Sequence, residues 1–418
     1  MKEKAIIAGV NLKNNPLFDQ SMIELEKLAI ACNYEVVGIL TQNMNRPSAS
    51  TYIGSGKVEE LSAAIETLAP DVVLFNDELS PSQIRNLEKN LKVDVSDRTV
   101  LILNIFERRA KSREAKLQVE MARIKYLLPR LVGSYASLGR QAGGVGTKNK
   151  GVGEKKLELD RRKAEQKLSE LQLALETIAS DRGTRRKKRV SSELPLVALV
   201  GYTNSGKSTL MNAFVRNSGK MSHKEVFEKD MLFATLDTSI RQVMMSNRRR
   251  FLLSDTVGFV SHLPHTLVKA FRSTLEEVIN ADLLIHVIDI SNPEYKSQMS
   301  VTLETLKEIG ADDIPLLNVY NKVDQLSAVP SELDDKALMI SAKKELGIDA
   351  LEGAISDFIF KDYVPCKMRI PHTEGAIISY LNDHAYVRDV AYEGDDTLLN
   401  MECRPEDFNR FKAYLELN

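Results

Sequence analysis

The chain has 418 residues, which is longer than a single domain of usual size, so several domains are expected. Its formal net charge of −1, with 28% charged and 43% hydrophobic residues, excludes a strongly basic or acidic overall field, so any nucleic-acid binding must come from local patches. The cysteines form no Cys-x-x-Cys pair, and no apolar run is long enough for a membrane span. We therefore expect a soluble, cytoplasmic protein.

Residues 1–107 are predicted to form an α/β domain. Apolar runs, predicted as strands, alternate with helix-like stretches, which is typical of a largely parallel sheet; the runs are AIIAGV, EVVGIL, DVVLF and TVLILNIF. The segment YIGSGKVEEL resembles a phosphate-binding loop, but Thr51 and Val58 stand where that motif requires glycine and a hydroxyl residue. It is therefore predicted to be a tight turn that enters a helix.

Residues 108–190 are predicted to form a long αα-hairpin, because apolar residues recur at steps of three, four or seven on both sides of a glycine-rich stretch. The helices are predicted to end near Pro129 and Ser180, since proline interrupts a helix and a glycine follows Ser180 closely. The basic run RGTRRKKR, residues 182–189, is predicted to be a solvated linker, with a nucleic-acid contact as the alternative.

The glycine-rich stretch LGRQAGGVGTKNKGVGEKK, residues 138–156, is predicted to be a mobile loop between these helices. No acidic residue occurs from Arg130 to Gly153, so a phosphate backbone can approach the loop without repulsion. A flexible surface loop without a partner is the alternative. The candidate RNA contacts are Arg140, Lys148, Lys150, Lys155 and Lys156.

A second α/β domain is predicted over residues 191–362, with a phosphate-binding loop at its start. The apolar sequence LPLVALV runs into Gly-x-x-x-x-Gly-Lys-Ser and then into a helix. The glycines let backbone N–H groups surround a β-phosphate, Lys207 neutralises phosphate oxygens, and the Ser208 hydroxyl ligates Mg²⁺. The predicted phosphate contacts are Gly201, Tyr202, Thr203, Asn204, Ser205, Gly206, Lys207 and Ser208.

Two later motifs complete a guanine-nucleotide site. The strand RRRFLLSDTVGF ends in Asp-x-x-Gly, which holds Mg²⁺ through water and places a glycine N–H at a γ-phosphate. The carboxylate of Asp324, at the end of IPLLNVYNKVD, can accept from both N1–H and the exocyclic amine of guanine, which adenine cannot match. A loop after the next strand offers backbone groups to the guanine O6. The predicted contacts are Asp255, Thr256, Val257, Gly258, Asn321, Lys322, Val323, Asp324, Ser341, Ala342 and Lys343.

The site is predicted to hydrolyse GTP slowly. Phe259 follows the Asp-x-x-Gly sequence, where a glutamine or histidine commonly positions water, and a phenyl ring cannot do this. We expect an intrinsic rate on the order of 10⁻³ s⁻¹ or less, which rises when a partner orders the switch segments or supplies a catalytic group. No catalytic residue is assigned; His262 and His265 lie nearby in sequence but are more typical of structural histidines. For the Mg²⁺-binding threonine, the residues leave Thr235 and Thr238 open.

Residues 363–418 are predicted to form a small α+β domain in the order β-α-β-β-α. EGDD is its hairpin turn, Pro405 opens the last helix, and Phe408, Phe411 and Leu415 face inward. The whole chain is therefore predicted to be an α/β multidomain protein. It has an N-terminal α/β domain, a long αα-hairpin, a P-loop GTPase domain with a mostly parallel sheet and helices on both faces, and the small C-terminal domain.

These motifs, with KLQVEMARIKYLLPRL and GRQAGGVGTKNKGVGEKKLELDRR, resemble the HflX family of ribosome-associated GTPases over nearly the whole chain. The resemblance implies Mg²⁺ as cofactor, GTP-dependent binding to the large (50S) ribosomal subunit and its rRNA, and separation of stalled or idle ribosomes under stress. It favours Thr235 over Thr238 as the magnesium ligand, because Thr235 occupies the threonine of the family's Phe-Ala-Thr-Leu-Asp motif. The implied switch segment is Phe233, Ala234, Thr235, Leu236 and Asp237. The chain departs from the family pattern at Val152, Lys155, Lys156 and Thr238.

Two other functions stay open from the sequence. One is an RNA-binding or remodelling protein with a second nucleotide, ATP, in the N-terminal region, which rests on GSGK and the glycine-rich loop. The other is a GTP-regulated scaffold for a protein partner, which would bind with little salt dependence. In each case we expect a monomer without a membrane span.

Overall fold

The computed structural model describes residues 2–13, 15–135, 150–190, 194–217, 232–233, 238–247, 249–261, 275–328, 333 and 337–416. At 131–135, 150–157, 181–190 and 383 it describes the backbone alone. The chain divides into two compact units. The first comprises Met1–Ser180, Lys229–Asp237 and Val257–Leu275, and the second comprises Asp181–Glu228, Thr238–Thr256 and Glu276–Asn418. Within the described ranges, no helix combines the length and the apolar character needed to cross a membrane.

The first unit contains a four-stranded sheet that is parallel throughout. Its strands are β1 (Glu3–Leu12), β2 (Tyr34–Met44), β3 (Val72–Phe75) and β4 (Asp94–Asp97), in the order β2-β1-β3-β4. The helices among them are α1 (Phe18–Ala31), α2 (Ser55–Leu68), α3 (Pro81–Leu91) and α4 (Arg98–Arg109). The predicted N-terminal α/β domain is confirmed. The sequence GSGK enters α2 from a turn capped by Gly54, as predicted.

The prediction of a strand at TVLILNIF is wrong, because these residues lie in α4. The helix begins after Asp97, whose carboxylate accepts a hydrogen bond from the Val100 N–H (3.0 Å) and caps the first turn. Leu101, Ile105 and Phe106 are each at most 1% exposed. A helix that is buried on most of its sides lacks the polar stripe that separates a helix from a buried strand in sequence.

Two long helices follow, α5 (Arg113–Tyr135) and α6 (Lys150–Val190). Lys167 Nζ of α6 lies 3.5 Å from Glu120 Oε1 of α5, so the two helices lie side by side as a hairpin. The predicted end near Pro129 is wrong, because α5 continues through it. Tyr126 and Arg130, on either side of the proline, both contact the buried carboxylate of Asp97, at 2.5 Å and 3.4 Å. These contacts offset the cost of about 3 kcal/mol for a proline inside a helix.

The predicted loop and linker around α6 also need correction. The helix begins at Lys150, so Lys150, Lys155 and Lys156 belong to helical backbone and not to a loop, while Arg140 and Lys148 lie outside the described residues. At the other end α6 runs through Ser180 and the whole basic run to Val190. A single glycine costs a helix only about 1 kcal/mol, and the arginines and lysines after it are good helix formers.

The second unit is built on a six-stranded sheet in the order β10-β9-β8-β5-β7-β6. The strands are β5 (Leu196–Val200), β6 (Ser239–Met244), β7 (Arg250–Asp255), β8 (Leu283–Asp289), β9 (Leu316–Asn321) and β10 (Leu338–Met339). Of the described pairings only β6 with β7 is antiparallel, so the predicted mostly parallel sheet is confirmed. The helices are α7 (Lys207–Asn217), α8 (Glu276–Ile279), α9 (Tyr295–Ile309) and α10 (Ile348–Ile359).

The C-terminal residues form a small α+β domain, as predicted. Its elements are β11 (Val364–Pro371), α11 (Gly375–His384), β12 (Tyr386–Glu393), β13 (Asp396–Cys403) and α12 (Pro405–Arg410). The strands form an antiparallel sheet in the order β11-β13-β12, with the hairpin turn within EGDD. Phe411 is buried in the core of this domain, and Phe408 and Leu415 pack against it. The division of the chain at residues 107, 190 and 362 stays a prediction.

Candidate nucleotide site

The loop between β5 and α7 has a backbone that only glycine can adopt at two positions. Gly201 has φ +141° and Gly206 has φ +97°, both in the region that L side chains rarely enter. A Cβ atom at Gly206 would lie 2.2 Å from Asn321 Nδ2, and one at Gly201 would lie 2.4 Å from the Val287 carbonyl oxygen. The loop is therefore packed directly against β8 and β9, and any side chain at these positions would displace it.

Lys207, the first residue of α7, is buried inside this loop. Its ammonium donates to the carbonyl oxygens of Gly201 (3.0 Å) and Tyr202 (2.7 Å). Burial lowers the pKa of Lys207 to about 8, and the nearby Asp255 carboxylate partly opposes the shift. An amine in such surroundings gains strongly from a phosphate oxyanion, because the anion restores the charged form.

Ser208 and Asp255 bring two hard oxygen donors together beside the loop. The Ser208 hydroxyl donates to Asp255 Oδ2 at 2.7 Å, and Asp255 is fully buried at the end of β7. The parallel pairing of β5 with β7 sets Asp255 opposite Leu199, just before the loop begins. Thr256, directly after β7, is held against β5, since its hydroxyl donates to the Leu199 carbonyl oxygen at 2.6 Å.

Asn321, at the end of β9, joins the loop to a second loop at 341–343. Its amide Nδ2 donates to the Ser205 carbonyl oxygen at 2.8 Å, and its Oδ1 accepts from the Ala342 N–H at 2.9 Å. The side chain is only 2% exposed. A neutral amide is suited to this position, because it can donate to one segment and accept from the other.

Asp324 lies at the rim of the same region, in a 3-10 turn that follows β9. The Ser341 hydroxyl donates to Asp324 Oδ1 at 2.6 Å, and this hydrogen bond lowers the pKa of the carboxyl. The carboxylate therefore stays ionised and keeps acceptor capacity for a ligand. Lys322, between Asn321 and Asp324 in sequence, forms an ion pair with Asp289 at 2.7 Å.

Comparisons with known proteins match nearly the whole chain. Three family models match in succession: "GTP-binding GTPase N-terminal" at residues 19–107, "GTP-binding GTPase Middle Region" at 109–189 and "50S ribosome-binding GTPase" at 196–322. The GTPase HflX of Caldanaerobacter subterraneus subsp. tengcongensis is 41% identical over 414 residues, which covers 99% of this chain and 94% of that protein. The chain belongs to the HflX GTPase family. It binds GTP, and it is a GTPase.

Two further proteins share less sequence identity with this HflX-family protein. The GTPase HflX of Escherichia coli K12 is 37% identical, with coverage of 86% of this chain and 84% of that protein. A crystal structure of a GTP-binding protein from Sulfolobus solfataricus in complex with GDP is 25% identical, with a TM-score of 0.44, and covers 86% of this chain and 99% of that one. The family match does not favour the alternative of an RNA-remodelling protein with a second, ATP-binding site.

The switch segments of this GTPase are only partly described. Thr235, with Ala234, Leu236 and Asp237, lies outside the described residues, as do His262 and His265. Thr238, the rejected alternative, is described and half-buried just before β6. Phe259, which directly follows the Asp-x-x-Gly sequence, is 3% exposed.

Residues around the two switch segments contact α4, and sequence reasoning missed these contacts. Phe233 packs edge-on against Phe106, with ring centroids 4.7 Å apart. Arg98 donates to the Ser261 carbonyl oxygen at 3.1 Å and also pairs with Glu24. All five residues belong to the first compact unit. An arginine directly before the apolar run TVLILNIF was the available signal, since a charged side chain that is buried needs hydrogen-bonding or ionic partners.

Proposed function

We propose that the loop at 201–208 holds the phosphates of GTP and that Asp324 and the 341–343 loop hold its guanine base. The observation that carries this proposal is the double hydrogen bond of Asn321, which ties the Ser205 carbonyl of the first loop to the Ala342 N–H of the second. Asn321 would thereby hold the loop for the phosphates and the loop for the base at a fixed distance from each other. Guanine specificity follows from the ionised Asp324, which can accept from two guanine N–H groups.

Mg²⁺ fits the residues at the phosphate end, and Ser208 and Thr235 are its proposed protein ligands. The Ser208 hydroxyl and the buried Asp255 carboxylate are oxygen donors of the kind that Mg²⁺ prefers. Within the described part of the chain, the buried hydroxyls of Thr203 and Ser205 have no hydrogen-bond partner, as expected of a loop shaped around further oxygen atoms. When bound, the metal would neutralise charge on the phosphate oxygens.

The residues of this chain bind and orient the nucleotide more than they activate water. Lys207 can exchange its carbonyl partners for phosphate oxygens, and the Gly258 N–H follows Asp255 where a γ-phosphate is sensed. Phe259 is buried and offers neither a donor nor an acceptor. We therefore propose slow intrinsic hydrolysis, on the order of 10⁻³ s⁻¹ or less, with the missing group supplied or ordered by a partner.

We further propose that the partner is the large (50S) ribosomal subunit with its rRNA, and that the protein separates stalled or idle ribosomes under stress as a cytoplasmic monomer. The description of the family model matched at 196–322, a ribosome-binding GTPase, supports this partner. Basic residues at and before the start of α6 support an rRNA contact; they are Arg140, Lys148, Lys150, Lys155 and Lys156.

Sedimentation with purified ribosomes tests this proposal. We expect co-sedimentation with 50S subunits in the presence of a non-hydrolysable GTP analogue, less with GDP, and a decline in 70S particles if the protein splits them. Single-turnover hydrolysis should accelerate when ribosomes are added. Equal sedimentation with GDP and the analogue, or fast hydrolysis by the protein alone, would contradict the proposal.

A charge-neutralised variant tests the RNA contact separately. The lysines to be replaced by glutamine flank the hairpin connection: Lys148, Lys150, Lys155 and Lys156. The matched control replaces exposed lysines of other elements: Lys27, Lys89, Lys92 and Lys307. Each neutralised phosphate contact should reduce the slope of log K against log salt by about one. The first variant should lose ribosome binding and keep its GTP affinity, while the control keeps both; equal binding by the two variants would leave these lysines without a role.

A further inference from the structure

Two of the three cysteines form a pair in the small C-terminal domain. Cys366 lies on β11 and Cys403 is the last residue of β13, and the two strands pair antiparallel. Their sulfur atoms are 3.6 Å apart, and both thiols are free. Cys403 is fully buried, while Cys366 is partly exposed, so the pair lies closer to solvent on the Cys366 side.

The placement of the pair allows a bond between the two sulfur atoms. Cys366 is opposite Met401, so Cys403 lies two residues further along β13, on the same face as Met401. A disulfide requires sulfur atoms about 2.05 Å apart, and the remaining gap of about 1.5 Å is within reach of side-chain rotation and a small movement of strand ends. Diagonal neighbours start further apart than directly opposed residues, so the bond would be strained and readily reduced.

The two thiols differ in character. The contact between the two thiols lowers the pKa of Cys366, whereas the same contact and burial raise the pKa of Cys403. Cys366 is therefore the better nucleophile, because the thiolate is the reactive form. Cys403 stays a thiol, and its sulfur is close enough to Cys366 to react with an oxidised form of that side chain and give a disulfide.

We propose that Cys366 and Cys403 are a site of reversible oxidation that takes a hydroperoxide as its oxidant. The Cys366 thiolate, whose proton has gone to solvent, attacks the peroxide; the O–O bond breaks, a sulfenic acid forms, and the departing alkoxide or hydroxide takes a proton from solvent and leaves as alcohol or water. The Cys403 sulfur then attacks the Cys366 sulfur, the S–O bond breaks, and the departing hydroxide takes the thiol proton as water. Two thiols lose two electrons in all and become a disulfide, and a dithiol reductant reverses the reaction.

The site is adjacent to the contact between the C-terminal domain and the GTPase domain within the second unit. Glu402, the neighbour of Cys403, forms ion pairs with Arg249 and Arg388. Arg249 precedes β7 of the GTPase domain, and its guanidinium carbon also lies 5.0 Å from the centroid of the Tyr386 ring. A bond between β11 and β13 would stiffen the strand that carries Glu402.

The third cysteine is an internal control. Cys32 lies in the first unit, where it is 1% exposed and its thiol donates to the Leu101 carbonyl oxygen at 3.4 Å. Burial raises the pKa of Cys32 to about 11. It should react with hydroperoxide at least about tenfold more slowly than Cys366, because it has little thiolate and little access.

The experiment treats reduced, full-length protein with hydrogen peroxide and identifies peptides by mass spectrometry without reduction. We expect a cross-linked pair of peptides containing Cys366 and Cys403, lighter by two hydrogen atoms, that dithiothreitol separates, while Cys32 stays a thiol. Cys32→Ser should behave like the unaltered protein. Cys403→Ser should stop at a sulfenic acid on Cys366, detected with dimedone, and Cys403→Ala provides the same test if a buried serine impairs folding.

Two results would overturn the proposal. One is equal oxidation of Cys32 and Cys366 without the cross-linked pair. The other is disulfides that join only separate molecules, detected as dimers on a non-reducing gel.

Discussion

Nucleotide binding should draw a proton from solution onto Lys207 near pH 8. Burial lowers the pKa of this amine from its ordinary 10.5 to about 8, so about half of the nucleotide-free molecules carry a neutral amine at pH 8. Phosphate oxygens placed against Nζ favour the charged form and raise its pKa again. Binding of GDP at pH 8 is therefore expected to take up about half a proton per molecule, and at pH 7 only about a tenth.

The same shift sets the pH dependence of affinity. The fraction of free protein with a charged Lys207 falls as 1/(1 + 10^(pH − 8)), whereas in the complex the amine stays protonated. The affinity for GDP should therefore fall about tenfold from pH 7 to pH 9, which corresponds to about 1.4 kcal/mol. The sign follows from the direction of the shift, since the nucleotide-free state is the one that binds the proton less tightly.

Isothermal titration calorimetry measures both quantities. The observed binding enthalpy is plotted against the ionisation enthalpy of two or more buffers at pH 8, and the slope is the number of protons taken up. Lys207→Arg is the matched control, because a guanidinium stays charged throughout this pH range and its slope should be close to zero. A flat plot for the unaltered protein, or the same slope in Lys207→Arg, would refute the argument.

Three further predictions concern single residues. Asn321→Ala should weaken GTP binding at least about tenfold and lower the free energy of unfolding by about 1–3 kcal/mol, since two buried hydrogen bonds are lost. Asn409→Ala, at an exposed position of α12 in the same unit, is its control in fluorescence titration and urea unfolding. Gly206→Ala should abolish nucleotide binding in that titration, because its Cβ would clash with Asn321, and full affinity would contradict the loop geometry. Arg98→Met should destabilise the first unit by about 3–5 kcal/mol in urea unfolding, because it removes a buried guanidinium that pairs with Glu24 and donates to Asn76 and to the Ser261 carbonyl oxygen. Arg123→Met, which breaks an exposed pair, should cost less than about 1 kcal/mol, and equal losses would refute the distinction.

The fold of the second unit was predictable because each motif follows an apolar run of the length of a strand. Asp255 and Asn321 both end such strands, and the carboxyl ends of parallel strands meet at one edge of a sheet. The role of Asn321 as a link between two loops was not predictable, because its partners are backbone groups, Ser205 O and Ala342 N–H. Every residue has the same backbone groups, so no sequence pattern shows which of them a side chain will contact.

In the first unit, local sequence patterns predicted the secondary structure wrongly at two places. The apolar run TVLILNIF does not separate a strand from a helix that is buried on most sides, and only the capping Asp97 distinguishes them. A proline such as Pro129 destabilises an isolated helix, but the contacts of Tyr126 and Arg130 with Asp97 stabilise α5 on both sides of it. Such contacts join residues about thirty positions apart, which no short pattern records.

The central position of β5 affects how a nascent chain acquires its nucleotide site. β5 is the first of the six strands to be synthesised, but its neighbours β7 and β8 appear only when the chain has reached Asp255 and Asp289. Until then β5, with its apolar side chains, has no neighbouring strand to pair with. Unpaired apolar strands fold slowly and tend to aggregate. Asn321 and Ala342 are added later still. A growing chain should thus retain guanine nucleotide only when this domain is almost complete, and retention can mark the point at which the GTPase domain has folded, before the C-terminal domain is finished.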